Sequence, residues 1–317
     1  WGTAVEWAVP EALDSVGEGV GDVDMFPRPT AQTGMGVDPG FAHGCKIAVV
    51  SGAGNVLATA VVYPTLGAGK RQDEAAAKVA ALAKDLKVGC VALGNGTATR
   101  ESAAFLSQTF GDAGLDIPVY PVSESGASVY SATPLAEQEF PDFDVNLRSA
   151  VSIARRLQDP LSELVKIPPE ALGVGQYQHD LDGKRLAASL GKVVEDCVNN
   201  VGVNANTASP ELLAHVSGIS PRLAQAIVDY RNDNGPFPDR KTLLRIKGLG
   251  PKVFLNAAGF LRVRGAEPLD DTFIHPESYD VARKVISLLG IADRQGALAA
   301  QKAVAGPQAG PLATQLG

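Results

Sequence analysis

Two short segments carry the residue types that could hold a phosphate. Ser217-Gly-Ile-Ser220 and Lys247-Gly-Leu-Gly250 each follow an apolar helix end and lead straight into a second helix. Glycine reaches positive φ and allows another molecule to approach the backbone closely. The first amides of the following helix have no partner inside it and lie at the positive end of its dipole. Such an end suits a phosphate, and two in tandem suit a sugar–phosphate backbone gripped without reading its bases. The candidate contacts are Gly218, Ile219, Ser220 and Arg222 at the first turn, and Arg245, Lys247, Gly248, Leu249, Gly250 and Lys252 at the second. The first copy has Ser220 where the second has Gly250, so the second reads as the better phosphate site. The same hairpins could instead serve as a packing unit or a protein-binding surface.

Charge distribution favours nucleic acid over those alternatives. The 317 residues carry a net charge of −7, which by itself argues against a polyanionic partner. Residues 199–265, however, hold nine basic and four acidic side chains, a balance of +5, while residues 1–33 hold six acids against Arg28. An acidic arm therefore hides a basic module in the total, and the local balance is what a phosphate backbone meets.

Other chemistries find less support. Cys45, Cys90 and Cys197 are far apart and form no C-x-x-C pair, so they read as free thiols in a reducing, cytoplasmic compartment. His43, His179, His215 and His275 fit no zinc spacing. Gly52-x-Gly54 and Gly94-x-Gly96 lack the lysine and hydroxyl of a P-loop and read as turns. No apolar run is long enough to cross a membrane, and the first residues do not form a secretory signal.

The elements that must position the turns can be read from periodicity. Strands are expected at 35–38, 46–50 and 56–63, then a helix at 73–86, a strand at 88–93, a helix at 97–109 and a strand at 117–122. Helices follow from 123, at 147–157, at 184–199 and at 279–289, and the tail at 305–311 reads as disordered. Three strands followed by alternating helices and strands predict a mixed sheet with helices on its faces. The fold class is thus α/β followed by all-α. The divisions are an acidic Gly/Pro-rich arm at 1–33, the α/β domain at 34–165, a connector at 166–192, the tandem hairpins at 193–265, and a connector helix with tail at 266–317.

Several segments resemble the bacterial Tex family of transcription accessory proteins. They are Ser128-Val-Tyr-Ser131, the stretch from Arg148 to Leu161, Gly173-Val-Gly-Gln-Tyr-Gln-His-Asp180, the stretch from Val194 to Ser209, Ala257-Ala-Gly-Phe-Leu-Arg262 and His275-Pro-Glu277. The resemblance covers roughly 34 to 280. It implies a YqgF-type, RNase H-like domain before the tandem helix-hairpin-helix modules, and RNA or DNA, RNA polymerase or ribosome-associated complexes as partners. The large helical N-terminal region and the C-terminal OB-fold of the family are not recognisable in these 317 residues.

The same resemblance raises a second chemistry. An RNase H-like sheet can hold divalent metals between carboxylates and hydrolyse a phosphodiester. Asp38, Glu124 and Asp159 match the carboxylate positions of YqgF-type resolvases, so magnesium is the cofactor expected under a nuclease reading and none under a binding reading. Gly94-Asn-Gly96 stands where a related branch carries another carboxylate. Each acid also has an ordinary explanation: Asp38 as a turn residue before Pro39, Asp159 as the end of a helix before Pro160, and Glu124 in a first helical turn. The expectation is a scaffold rather than an enzyme, with the metal-dependent nuclease and a protein-interaction scaffold as alternatives.

Overall fold

The computed structural model describes residues 32–40, 44–64, 70–173 and 180–289. The expected arm, the tail, His43, Tyr177 and His179 lie outside the described residues. Contacts divide the chain into two units, Trp1–Gly191 and Lys192–Gly317.

Unit 1 is built on a five-stranded sheet. Its strands are β1 (Gly34–Asp38), β2 (Cys45–Val50), β3 (Val56–Val62), β4 (Cys90–Gly94) and β5 (Val119–Val122), in the order β3-β2-β1-β4-β5. The first three are antiparallel, whereas β4 and β5 are parallel to β1. Helices α1 (Lys70–Asp85) and α2 (Thr99–Asp112) make the crossovers that parallel pairing demands. This is the mixed sheet that the pattern predicts and the RNase H-like architecture that the resemblance implies. Met35, Val37, Ile47, Val49, Val91 and Leu93 point to one face and meet Val79, Leu106 and Phe110 from these helices.

The opposite face receives α5 (Val145–Gln158), after the short helices α3 (Ala127–Ser131) and α4 (Pro134–Glu139). Ala48 and Val50 pack there against Ala150, Val151 and Ala154. The approach is so close that a Cβ on Gly36 would lie 2.2 Å from the Ala150 carbonyl. Gly36 is therefore required for space, because helix backbone occupies the volume of any side chain. Helix α6 (Pro160–Leu164) follows α5 directly, and α7 spans Gly183–Val201.

Unit 2 contains two hairpins thirty residues apart. The first runs from α8 (Pro210–Leu213) through Gly218 into α9 (Pro221–Asn234). The second runs from a 3-10 helix (Arg240–Arg245) through Gly248 into α10 (Pro251–Ala257). A parallel pair, β6 (Val203–Asn204) with β7 (Leu261–Arg262), closes the two ends of this region together. Two-residue strands have no periodicity to read, so sequence patterning misses them. The last described element, α11, spans Tyr279–Leu289, the range expected from its apolar spacing.

Candidate nucleic-acid interface

The two turns share their hydrogen bonds residue for residue. The Ile219 amide donates to the Val216 carbonyl at 2.9 Å, and the Leu249 amide to the Ile246 carbonyl at 3.0 Å. Gly218 has φ +83° and Gly248 φ +99°, the left-handed region that excludes most side chains. Ile219 and Leu249 are buried, and their amides close the turns. They hold the shape of each turn rather than facing a ligand, which corrects their expected place among the contact residues. The turns also pack reciprocally. A Cβ on Gly218 would meet Asn256 of α10 at 3.2 Å, and one on Gly248 would meet Leu223 of α9 at 3.8 Å. Each turn thus rests on the helix that leaves the other, which sets the two helix starts side by side.

Proline sits at the first position of both α9 and α10, so neither Pro221 nor Pro251 offers an amide. The amides left to point outward are those of the next two residues. In α9 one of these is taken, because the Leu223 amide donates to Ser220 Oγ at 3.3 Å. In α10 the cap is Gly250, with no side-chain bond. Gly250 itself has φ −78°, which any residue adopts, so its glycine is not a conformational need.

Exposure sorts the basic residues. Arg222, Lys241, Arg245, Lys247, Lys252 and Arg264 are exposed, and Arg264 pairs with Asp271 at 3.4 Å. Arg240 is 1 % exposed. Its Nε donates to the Leu261 carbonyl at 2.7 Å, and its Nη1 to the Ile274 carbonyl at 2.8 Å and to Tyr279 Oη at 2.7 Å. Its own amide donates to Asp270 Oδ2 at 2.7 Å. Arg240 is thus a structural cation, and the local balance of +5 overstates the charge available to a phosphate. Arg262 stacks on Phe273 with 4.1 Å to the ring centre and is half-buried.

A residue that sequence reasoning missed holds the first turn. Asn199 is buried; its Nδ2 donates to the Glu195 and His215 carbonyls, and its Oδ1 accepts from the Ser217 amide at 3.1 Å. An asparagine near a helix end carries no signal that it reaches a turn eighteen residues on.

In unit 1 the structure brings together two of the three expected carboxylates. Asp38 ends β1, and its Oδ2 accepts from Ser149 Oγ at 2.5 Å. Glu124 follows β5 and folds over the end of β4, where it accepts from the Gly96 amide. A Cβ on Gly96 would strike its Oε1, so glycine is needed there for space. The Glu124 amide donates to Asn95 Oδ1 at 3.1 Å, and Arg156 Nη1 binds the Ser123 and Ser125 carbonyls on either side. Burial first, and then the Asp38 carboxylate, push the Glu124 carboxyl above its usual range. Arg156 is held down to about 10, chiefly by its own burial.

Asp159 is not part of this cluster. It caps α6, accepting from the Ser162 amide at 3.1 Å and from Ser162 Oγ at 2.6 Å. From Ser149, which touches Asp38, to Asp159 is roughly 15 Å of helix. The expectation that the sheet edge gathers all three acids is thereby corrected: α5 runs back along β1 and carries Asp159 to the other end. Among the described residues no group of three or more His, Cys, Asp or Glu side chains is placed to hold a metal. A magnesium site wants several hard oxygens around one point, and this donor set does not fit it.

Comparison with known proteins agrees with the geometry. The family model described as Tex protein YqgF-like domain matches residues 32–158, a helix-hairpin-helix motif matches 198–262, and an HHH domain matches 267–310. The chain carries a Tex-type YqgF-like domain followed by helix-hairpin-helix domains. Transcriptional accessory protein Tex of Neisseria gonorrhoeae is 52% identical over 263 residues, which is 82% of this chain and 34% of that protein. Protein YhgF of Escherichia coli (strain K12) is 48% identical over 290 residues, 90% of this chain and 37% of that protein. S1 RNA-binding domain-containing protein 1 of Homo sapiens is 41% identical over 311 residues, covering 82% of this chain and 31% of that protein. The chain thus spans about a third of the length of these relatives. Among solved structures, Thermus thermophilus RuvC covers 43% of this chain and 96% of its own at 18% identity, with a TM-score of 0.31. The HHH domain match covers much of the stretch that sequence patterning read as a connector and tail. No helix among the described residues is long and apolar enough to cross a membrane.

Proposed function

We propose that unit 2 binds the sugar–phosphate backbone of RNA or DNA without base preference, as the core of a Tex-like accessory factor acting on transcription in the cytoplasm. One observation carries this reading. The second hairpin turn starts an uncapped helix and is ringed by exposed Arg245, Lys247 and Lys252. Amides at a helix start and flexible cations are complementary means of holding phosphate. The first turn adds Arg222 beside it. The reciprocal packing of the turns supports a grip on two phosphates rather than one.

The RNase H-like unit serves in this reading as a scaffold or second contact surface. A metal-dependent nuclease would need Asp159 beside Asp38 and Glu124, and that third ligand is spent as a cap. The names of the relatives in Neisseria and in humans support a transcriptional setting and RNA as a ligand; polymerase or ribosome-associated complexes are the macromolecular partners to test.

The deciding experiment is binding of labelled single- and double-stranded DNA and RNA across a salt series. Affinity should fall log-linearly with salt, with a slope that counts phosphate contacts. Absence of binding at low salt would reject the reading in favour of a protein-interaction scaffold. Cleavage that requires magnesium and disappears in Asp38→Asn would restore the nuclease.

A further inference from the structure

The two edges of the unit 1 sheet are finished differently. At one edge, β5 has four residues and carries the exposed Pro121, which has no amide to offer an added strand. At the other, β3 has seven residues, Val-Leu-Ala-Thr-Ala-Val-Val, and runs for about 23 Å. Among the described residues no strand lies on its outer side. Leu57 and Val61 of this strand are 48% and 38% exposed, and Tyr63 just beyond it is 42% exposed. The Tyr63 ring lies over Gly44, where a Cβ would come within 2.9 Å of it. Open edges are ordinarily blunted by Lys, Pro or an inward-pointing charge. Here the opposite holds: from Ile47 to Gly69 the sequence contains no Asp, Glu, Lys or Arg, in a chain that is 20% charged. The register of β3 with β2 is interrupted at the Val49/Val50 step, and residues 58–62 pair regularly.

We infer that β3 is a self-association edge, which pairs antiparallel with β3 of a second copy of this chain across a two-fold axis at Thr59. The strand is close to its own mirror image about that residue. Antiparallel self-pairing there sets Thr59 opposite Thr59 of the partner subunit. It sets Ala58 opposite Ala60 of the partner subunit, and Leu57 opposite Val61 of the partner subunit. The axis repeats the last two pairs, as a closed two-fold interface requires. Each pair joins like with like: threonine with threonine, small with small, branched apolar with branched apolar. Such cross-strand pairs stabilise a sheet, and directly opposed like charges would destabilise it. The charge-free stretch around β3 brings none, so identical edges meet without repulsion. A foreign extended peptide would satisfy the same backbone groups, but the mirrored order of side chains is what a second copy needs. One strand pair makes a small interface, so the expected dissociation constant is on the order of micromolar.

The inference is independent of nucleic-acid binding by unit 2. It is tested on the whole chain by sedimentation velocity from about 1 to about 200 µM. The wild type should pass from monomer to dimer over this range, and amide hydrogen exchange at residues 56–62 should slow as the dimer forms. Val61→Lys and Leu57→Glu, each at an exposed position, should each raise the dissociation constant roughly tenfold or more. Combining the two substitutions sets opposite charges face to face at both symmetric pairs, and dimerisation should return to within about threefold of wild type. Folding of each variant is checked by circular dichroism. Should a charged variant not fold, the concentration dependence of exchange at residues 56–62 in the wild type still decides. A wild type that stays monomeric throughout, or a dimer unmoved by Val61→Lys, would overturn the inference. So would a combined variant that dimerises no better than the single ones, because the register about Thr59 would then be wrong.

Discussion

The two hairpin turns have matching backbones and different chemistry. Position by position, the first offers His215, Ser217, Ser220 and Arg222 where the second offers Arg245, Lys247, Gly250 and Lys252. The first is closed by protein: Ser220 Oγ takes the Leu223 amide, and Asn199 ties Ser217 and His215 to α7. The second leaves its helix start uncapped and surrounds it with three cations, while its anchor, Arg240, lies buried behind it. One fold, used twice, thus yields a self-satisfied turn and an open one. What separates them is that a side chain meets an amide at the first helix start and none does at the second.

The largest effect expected from breaking this comparison is at the anchor. Arg240→Ala keeps the amide bond to Asp270 but strands the Leu261, Ile274 and Thr272 carbonyls, and loss of the cation from this buried cluster costs about 3–5 kcal/mol. Urea unfolding of unit 2 should show that loss. Weakened binding at full stability would mean instead that Arg240 reaches the ligand. Next comes Lys247→Glu with Lys252→Glu, both exposed side chains. Affinity should drop on the order of tenfold or more, and the salt slope should flatten by about 2. Arg222→Glu at the first turn should flatten it by about 1; equal effects at the two turns would erase the asymmetry.

The sharpest test exchanges the caps. Gly250→Ser places a hydroxyl where it can take the Val253 amide, at a backbone conformation that serine accepts. Stability should hold or rise by a few tenths of a kcal/mol. Affinity should fall roughly threefold to tenfold, the worth of one hydrogen bond. Ser220→Gly should do the reverse, and unchanged binding in both would show that the helix-start amides are not contacts.

The smallest effect concerns pH. Burial holds the His215 pKa below its ordinary value, against a weaker pull upward from Glu195. The unfolded chain therefore takes up the proton first, so unit 2 should lose stability as pH falls below about 6.5. Above that value both states are neutral at this site and the dependence vanishes. Thermal unfolding of wild type and His215→Gln across this window measures it, and identical pH profiles would remove His215 as the cause.

Much of this was legible in the chain. Gly218 and Gly248 announce left-handed turns, the strands at 46–50 and 56–63 stand out as short apolar runs separated by a Gly-rich turn, and α11 was readable because its apolar face repeats at helical spacing. The short elements were not. The β6–β7 pair and the 3-10 helix at Arg240 are too brief for any periodicity to accumulate. The candidate site was legible in type and only partly in role: Ile219 and Leu249 read as contacts and prove to be core, and Arg240 counted as a surface charge and is 1 % exposed.

The sequence by itself determined the elements, the two turns and the domain types, because backbone preference and apolar spacing are local properties. Only the tertiary structure decided which charges face water and which carboxylates meet. Asp38, Glu124 and Asp159 lie on three elements, and their convergence depends on strand order and on the direction in which α5 crosses the sheet. That direction carries Asp159 away and leaves Ser149 beside Asp38, with Lys46 across from it. A residue's type gives its chemistry in isolation, but its partners are set by chain geometry over distances that no local pattern encodes.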